Sequence, residues 1–236
     1  LPAAIADLAN LEYLDISKNP LRVKDAEDFS CLPIDMRLMK SLKHLVISEC
    51  NLRAIPPTVW LMTSLSVLDI SRNKIGLLVP DVSKLEYLSK INLSQCNLST
   101  LPSEIGLCQE LTEIILMSNN IESLPDNLRE CRNLKFLRIS YKNFTTLLDE
   151  YMENLIRKGQ IRSEHIPSVV FDLENLYSLN LKSTKINNIP ENNLFNLHEL
   201  QLDYNFFDKL EDQTFKTLNN LSILTMTHNF LKEIPE

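Results

Sequence analysis

Hydrophobic and polar residues follow one another in a fixed order that recurs nine times along the chain. In each copy, leucine or a similar residue stands at positions 1, 4 and 6, and asparagine usually stands at position 9. The copies begin at Leu11, Leu42, Leu65, Leu88, Leu111, Leu134, Leu176, Leu197 and Leu221. From Leu42 to Leu134 the starts are 23 residues apart. A period of this length indicates a stack of similar structural units.

Within each copy, apolar and polar residues alternate around position 4, which predicts a short strand with its leucines facing inward. Stacked copies then form one parallel sheet of nine strands, about 40 Å across at the usual strand spacing. The segments between strands often contain Leu-Pro or Ile-Pro, as at Ile55-Pro56 and Leu101-Pro102. The pattern predicts an α/β solenoid with the sheet on its concave face and irregular, 3-10 or helical segments on its convex face.

Position 9 leaves the strand, where an asparagine amide is able to satisfy backbone groups of its own and neighbouring turns. Lys142 is a poor occupant of this slot, so we expect the row to break there. The next copy also starts late, because the step from Leu134 to Leu176 is 42 residues. We predict a helical insertion over 146–164, with the helix near 147–158, and a loop near 23–33. The insertion is either a tolerated excursion or a partner-binding element.

Composition excludes several classes of protein. The chain has only three glycines, few for Rossmann turns or phosphate loops. The chain has a formal charge of −7 and no stripe of basic residues that would bind a nucleic acid. No apolar run reaches the roughly 18 residues of a spanning helix. Since Leu1-Pro2 and Ile234-Pro235 occupy equivalent phases of the repeat, we expect a single domain over 1–236 within a longer protein.

Four of the five cysteines occupy regular positions of the repeat. Cys50 and Cys96 occupy position 9, whereas Cys108 and Cys131 occupy an apolar slot before two successive strands, so we expect thiols rather than disulfides. Reduced cysteines favour a cytoplasmic protein. Four glycosylation sequons point the other way and keep an extracellular protein open. They begin at Asn92, Asn97, Asn143 and Asn220.

The sequence offers no catalytic site, metal site or cofactor. The four histidines are scattered, and none of the catalytic or nucleotide-binding motifs for which we searched is present. We therefore expect the chain not to be an enzyme and assign no catalytic residue.

Positions 3, 5, 7 and 8 of each copy should face a partner, because the repeat fixes their phase. Around strands 4 to 6 these positions combine apolar, aromatic and basic side chains, the composition of an interaction hot spot. The predicted partner-binding residues are Lys90, Asn92, Ile115, Met117, Phe136, Arg138 and Tyr141, with Gln201, Asp203 and Tyr204 as a polar extension. Trp60, which follows the buried Val59 and should face outward, is a second candidate, although a tryptophan at such a position more often folds onto its neighbours.

These residues resemble the 23-residue class of leucine-rich repeats. The segment from Leu101 to Leu111 is similar to repeats of Scribble, Erbin and the Ras-pathway leucine-rich scaffolds, and the resemblance covers nearly the whole chain. It implies a curved solenoid that binds another protein through its concave face in intracellular signalling. The last coils, which contain Phe195 and Phe215, are more similar to the phenylalanine-containing repeats of receptor ectodomains. This similarity keeps an extracellular receptor or ligand-binding domain as the alternative. A sensor arm of a larger enzyme is a third possibility.

Overall fold

The computed structural model describes residues 1–21, 31–141, 166–210 and 214–232. Nine strands form one parallel sheet in which the spatial order is the order along the chain. The strands are β1 (Tyr13–Asp15), β2 (His44–Val46), β3 (Val67–Asp69), β4 (Lys90–Asn92), β5 (Glu113–Asn119), β6 (Phe136–Tyr141), β7 (Ser178–Asn180), β8 (Glu199–Gln201) and β9 (Ile223–Thr225). Each predicted copy therefore contributes one strand, and we call a strand with the segment that follows it a coil.

Equivalent positions of neighbouring coils pair directly. Lys90 of β4 lies opposite Glu113 of β5, which lies opposite Phe136 of β6. The same register continues past the long step between Leu134 and Leu176, because Phe136 pairs with Ser178 of β7. Position 3 thus forms one row across the sheet and position 5 forms another.

Six short 3-10 helices lie between strands in the described part of the chain, and a seventh precedes β1. They are η1 (Ala3–Asp7), η2 (Ile34–Leu38), η3 (Pro57–Leu61), η4 (Pro80–Lys84), η5 (Ser103–Leu107), η6 (Asp126–Glu130) and η7 (Ser168–Asp172). Proline stands at or just before the start of each, where its fixed φ suits the first turn and its missing N–H costs nothing. The prediction of 3-10 segments opposite the sheet is confirmed.

Leucine-type residues from every coil fill a continuous core. In β4 and β5 the inward residues Ile91 and Ile114 have no exposed surface, as is also true of Leu93 and Leu116 at position 6. Since each coil packs mainly on its neighbours, stability accumulates along the stack.

The row at position 9 joins each coil to the preceding one. The side-chain amide of Asn73 donates to the main-chain oxygens of Ile47 and Ile70, at 2.9 and 2.8 Å. Its oxygen accepts from the backbone N–H groups of Cys50 and Leu52, both at 3.0 Å. Asn119 and Asn205 make equivalent contacts. The predicted internal ladder is confirmed for these coils.

Cysteine only partly replaces asparagine in this row. The Cys96 thiol donates to the main-chain oxygen of Ile70, 3.3 Å away, but provides no amide oxygen for the coil before it. The five cysteines are free thiols in the structure. Lys142, the helix predicted near 147–158 and most of the loop predicted near 23–33 lie outside the described residues.

A second row of asparagines, which the sequence did not lead us to expect, stands immediately before the strands of the later coils. Asn133 donates to the main-chain oxygen of Gln109 at 2.9 Å, and Asn175 donates to that of Arg132 at 3.0 Å. Asn196 and Asn220 continue the row. Two lines of side-chain amides therefore tie these coils together.

Trp60 does not face outward as predicted. It retains 4% of its surface and belongs to the core, as do Thr58 and Val59 beside it. Its neighbour Leu61, in the same 3-10 segment, is 39% exposed, so the burial is particular to Trp60 and the residues before it. Trp60 is therefore removed from the candidate binding residues.

Candidate functional site

The structure brings six of the predicted partner-binding residues together on three adjacent strands. Lys90 and Asn92 lie on β4, Ile115 and Met117 on β5, and Phe136 and Arg138 on β6. The register places Asn92, Ile115 and Arg138 in one row across the sheet. We call these six residues, together with Glu113, the central cluster.

Glu113 is the central residue of this cluster, although it was not among the predicted site residues. Its carboxylate lies 2.7 Å from the ammonium of Lys90 and 3.3 Å from Nε of Arg138. Its side chain is 14% exposed, against 42% for Lys90 and 49% for Arg138. One shielded acid thus holds two accessible bases, one on each neighbouring strand. Position 3 of the repeat identifies Glu113 as surface-facing, but its pairing depends on side-chain reach across the strands.

Apolar and aromatic surface borders these charges. Ile115, Met117 and Phe136 are half-buried. The Phe136 ring lies 6.1 Å from that of Tyr177, which stacks on His198 with 4.5 Å between ring centroids. A partner over Phe136 would therefore also meet Tyr177, which is 45% exposed.

Asn92 occupies the other border of the cluster. Its amide donates to the carboxylate of Asp69 on β3 at 2.8 Å, and its oxygen accepts from the Ser94 hydroxyl at 2.7 Å. These bonds fix the amide in one orientation, so Asn92 presents a defined polar edge rather than a mobile side chain.

Tyr141 is placed in the interior rather than on the concave face. In the other described coils position 8 has positive φ, as at Ser118 and Tyr204, and this conformation turns the side chain outward. Tyr141 instead continues the extended strand β6, where the alternation of side chains directs it inward. It is 8% exposed, and its hydroxyl donates to the main-chain oxygen of Ile121.

The predicted polar extension on β8 forms a separate group, because β7 lies between it and β6. Gln201 is half-buried, accepts from Asn180 at 2.8 Å and donates to Glu199. Tyr204 stacks on His228 with a centroid distance of 4.3 Å. These residues are accessible, but they do not join the central cluster.

Asp203 is buried, with 4% of its side chain exposed, and therefore has little surface for a partner. Burial by itself would raise the pKa of its carboxyl, but hydrogen bonds from Lys182, Thr225 and Thr227 outweigh that effect. They hold the pKa well below the usual range of an aspartate. Asp203 joins three coils and is a structural residue of the stack.

Metal-binding groups and membrane-spanning helices are both absent from the described residues. No group of three or more His, Cys, Asp or Glu side chains in this part of the chain is placed to hold a metal ion. No helix in the same part is long and apolar enough to cross a membrane.

Family comparison identifies the repeat. Models described as leucine rich repeat match residues 10–32, 64–85, 87–108 and 195–236. The fold is a leucine-rich-repeat horseshoe. The matched segments cover coils at both ends of the sheet, and the strand register extends the same leucine-rich-repeat arrangement through the coils between them.

Solved structures share this leucine-rich-repeat fold. A chain of the glycosylated Toll–Spatzle complex from Drosophila is 19% identical, with a TM-score of 0.77 over 100% of this chain and 29% of that one. A chain of the TLR13–ssRNA13 complex is 24% identical, with a TM-score of 0.74 over 100% and 31%. An internalin of Listeria monocytogenes is 19% identical, with a TM-score of 0.64 over 99% and 65%. At these identities the likeness concerns the fold alone.

A curated relative shares a shorter stretch. Over 70 residues the chain is 34% identical to a probable serine/threonine-protein kinase of Dictyostelium discoideum. The match spans 29% of this chain and 6% of that protein. The chain thus covers a small part of the relative's length.

Proposed function

We propose that this leucine-rich-repeat domain is a protein-interaction module that binds a partner protein on the concave face of β4 to β6. The observation that carries the proposal is the central cluster, in which Lys90 and Arg138 flank Glu113 beside the half-buried Phe136. Aromatic and arginine side chains surrounded by apolar surface dominate the binding energy of many protein interfaces. The cluster provides this combination on three rigid, paired strands.

The fold supports the same proposal. The Toll–Spatzle structure is by its name a complex, and its matched chain shares the horseshoe described here. Parallel strands with fixed register also present their outward side chains at constant spacing, so a partner meets a preformed surface and less binding energy is lost to ordering.

For the cellular setting, we propose an intracellular scaffold or adaptor in signalling. Cys50, Cys96, Cys108 and Cys131 are buried thiols that replace asparagine or leucine within the stack. Such use of cysteine as an interior residue suits a reducing compartment.

The alternative setting is an extracellular receptor or ligand-binding ectodomain. Asn97, which begins a sequon, is exposed and would present a glycan to solvent. Expression through a secretory pathway, followed by mass spectrometry of glycans and thiols, separates the two settings. Full occupancy of Asn97 in protein that folds normally would favour the ectodomain. Aggregation of the secreted chain, with mispaired cysteines, would favour the cytoplasm.

We further propose that the domain is itself non-catalytic, since leucine-rich repeats typically serve as binding modules. The kinase relative allows a variant of this proposal in which the repeats are the sensor arm of a larger enzyme. In either case the concave face is the part that recognises the partner.

Affinity capture tests the concave-face proposal. The bait with Phe136→Ala and Arg138→Ala is compared with the unmodified bait and with a control carrying Phe195→Ala and Arg129→Ala. The control removes the same two side-chain types from exposed positions outside the strands of the sheet. Partners retained by the unmodified bait and the control, but reduced about tenfold on the concave variant, support the proposal. Equal retention by all three baits, at equal thermal stability, contradicts it.

A further inference from the structure

The charge of the central cluster differs from that of the whole chain. The chain carries a formal charge of −7, yet the outward positions of β4 to β6 hold two bases, Lys90 and Arg138, and one acid, Glu113. Beyond the cluster the concave face is of mixed charge, with Asp69 and Arg72 on the β3 side and Lys182 and Glu199 on the β7 and β8 side. The central cluster therefore carries a net positive charge on a chain that is acidic overall.

The two bases keep hydrogen-bonding capacity for a ligand. Lys90 has three N–H donors and directs one contact to Glu113, while Arg138 uses Nε. Within the part of the chain that the structure describes, the ion pair of Arg138 uses Nε, and neither terminal guanidinium nitrogen forms a hydrogen bond or an ion pair with another side chain. These nitrogens form the planar fork that binds carboxylates in a bidentate manner. The cluster is thus preorganised to accept a second carboxylate.

Glu113 is poorly placed to be the contact for a basic partner. Its side chain is 14% exposed, and each of its oxygens already faces one of the two bases. An incoming lysine or arginine would meet Lys90 and Arg138 first and be repelled by them. The geometry makes Glu113 the internal counter-ion of the two bases, and an incoming carboxylate competes with it for them.

Apolar surface adjoins the two bases on one side. Phe136 is the position-3 neighbour of Glu113, and its ring is followed by that of Tyr177 at 6.1 Å. On the other side lie Asn92 and Asp69, joined by a hydrogen bond of 2.8 Å. A ligand segment that crosses the strands would therefore place its apolar side chain towards β7 and its acidic side chain over β4 to β6.

We propose that the central cluster binds a segment of a partner protein in which an aspartate or glutamate stands next to a large apolar residue. The carboxylate bridges Lys90 and Arg138, and the apolar side chain packs on Phe136 and Tyr177. The proposal rests on the concave-face function given above and specifies the chemistry of its partner.

Selection from a random peptide library tests this chemistry. Peptides of 12 residues displayed on phage are selected on the unmodified protein, after removal of those that bind a variant with Lys90→Ala and Arg138→Ala. We expect enrichment of sequences in which one acid adjoins Phe, Leu, Ile, Met or Trp. Enrichment of basic sequences, or of none, would overturn the acidic-partner proposal. In both cases affinity capture still decides the concave-face function.

Three single variants then locate the binding of an enriched synthetic peptide, with dissociation constants measured by fluorescence anisotropy. Arg138→Ala should weaken binding about fivefold, as expected for loss of one partly exposed charge. Glu113→Gln should tighten binding about threefold at low salt, because it removes the competing negative charge. Arg129→Ala is the matched control, since Arg129 is also a partly exposed arginine paired with an acid, Asp172, but lies in η6 opposite the sheet, and it should have no effect.

The opposite signs of the two charge changes make the result decisive. Weaker binding by the Glu113→Gln variant would mean that the acid contacts the ligand directly, and would overturn the proposal. Acidic peptides whose affinity is unchanged by Arg138→Ala would bind elsewhere, which contradicts the acidic-partner proposal. The affinity capture described above then decides the concave-face function separately.

Discussion

The hydroxyl of Tyr141 donates a hydrogen bond to the main-chain oxygen of Ile121, 3.0 Å away. This bond links the end of β6 to the segment that follows β5, at the point where the long strands β5 and β6 depart from the three-residue strands of the other coils. The pairing between them also shifts register after Leu116. Tyr141 occupies position 8 of the repeat, which was expected to lie on the concave face, but its side chain holds the sixth coil to the fifth.

Tyr141→Phe is expected to lower the free energy of unfolding by about 1 to 2 kcal/mol, because the variant leaves a buried carbonyl without its partner. Urea denaturation followed by circular dichroism measures the change. Tyr87→Phe is the control and should change stability by less than about 0.5 kcal/mol, since Tyr87 is 62% exposed. Equal effects of the two substitutions would show that the Tyr141 hydroxyl contributes nothing to stability.

Asn73→Ala should destabilise the protein by about 3 kcal/mol, because it leaves two N–H groups and the Ile47 carbonyl of the ladder unsatisfied, while the Ile70 carbonyl keeps only the Cys96 thiol. Asn19→Ala removes an equivalent residue of the first coil, where, among the described residues, the amide bonds carbonyls of its own turn. We expect that control to cost about 1 kcal/mol. The same denaturation measurement compares them, and a control as destabilised as Asn73→Ala would contradict the role of the amide between coils.

Asp203 makes stability depend on acid pH. Its folded-state pKa lies below the unfolded value of about 3.9, so its carboxylate contributes stability above about pH 4 that is lost as pH falls towards the folded pKa. Asp203→Asn should cost about 1 to 3 kcal/mol at pH 7, and the gap from the unmodified protein should narrow below about pH 4. Denaturation at pH 7, 5 and 3 measures the gap.

Asp208→Asn, at an exposed position, is the matched control for Asp203. Its effect should be within about 0.5 kcal/mol at neutral pH. A gap between Asp203→Asn and the unmodified protein that stays constant down to pH 3 would mean that the carboxylate charge is not what stabilises the three coils.

Substitution by alanine should change stability differently at two glycines. A Cβ at Gly106 in η5 would overlap the main-chain oxygen of Asn127 in the next coil, so Gly106→Ala should destabilise by about 3 kcal/mol. Gly76 has open space around it but a φ of +73°, so Gly76→Ala should cost about 1 kcal/mol through backbone strain alone. Thermal unfolding ranks the two variants. The reverse order would contradict close packing between η5 and η6.

The repetitive part of the fold could be predicted from the sequence because its determinants are local. Leu14, Leu45 and Leu68 each define a strand by their own neighbours, and the same is true of the other copies. The hydrogen-bonded ladder at position 9 was likewise predicted from the asparagines that recur there. The register of the sheet follows directly, since equal coils stack with equal positions side by side.

The residues whose placement differs from the prediction depend on contacts between coils. The position of a residue within the repeat does not indicate these contacts. Tyr141 moves inward because the backbone of its coil stays extended where others turn. Trp60 is buried in the core although its position in the repeat indicates an outward side chain. Glu113 becomes the centre of the central cluster because Lys90 and Arg138 reach it from two different strands.

The residue at position 9 also changes the turn after it, which the sequence pattern did not reveal. Coils with cysteine or threonine there have a second positive φ at position 10, at Asn51, Asn97 and Lys185. Among the described coils with asparagine at position 9, positive φ is confined to position 8 in this turn. Loss of the bridging amide thus coincides with a different path of the main chain.

The interior thiols give the molecule a set of internal reporters of local opening. Burial raises the pKa of Cys96 and of Cys108 to about 11, and that of Cys131 to about 12. A thiol reacts as its thiolate, so alkylation at neutral pH must await exposure of that part of the stack. Because each coil rests mainly on its neighbours, the order in which the cysteines become labelled would trace the direction in which the solenoid unravels.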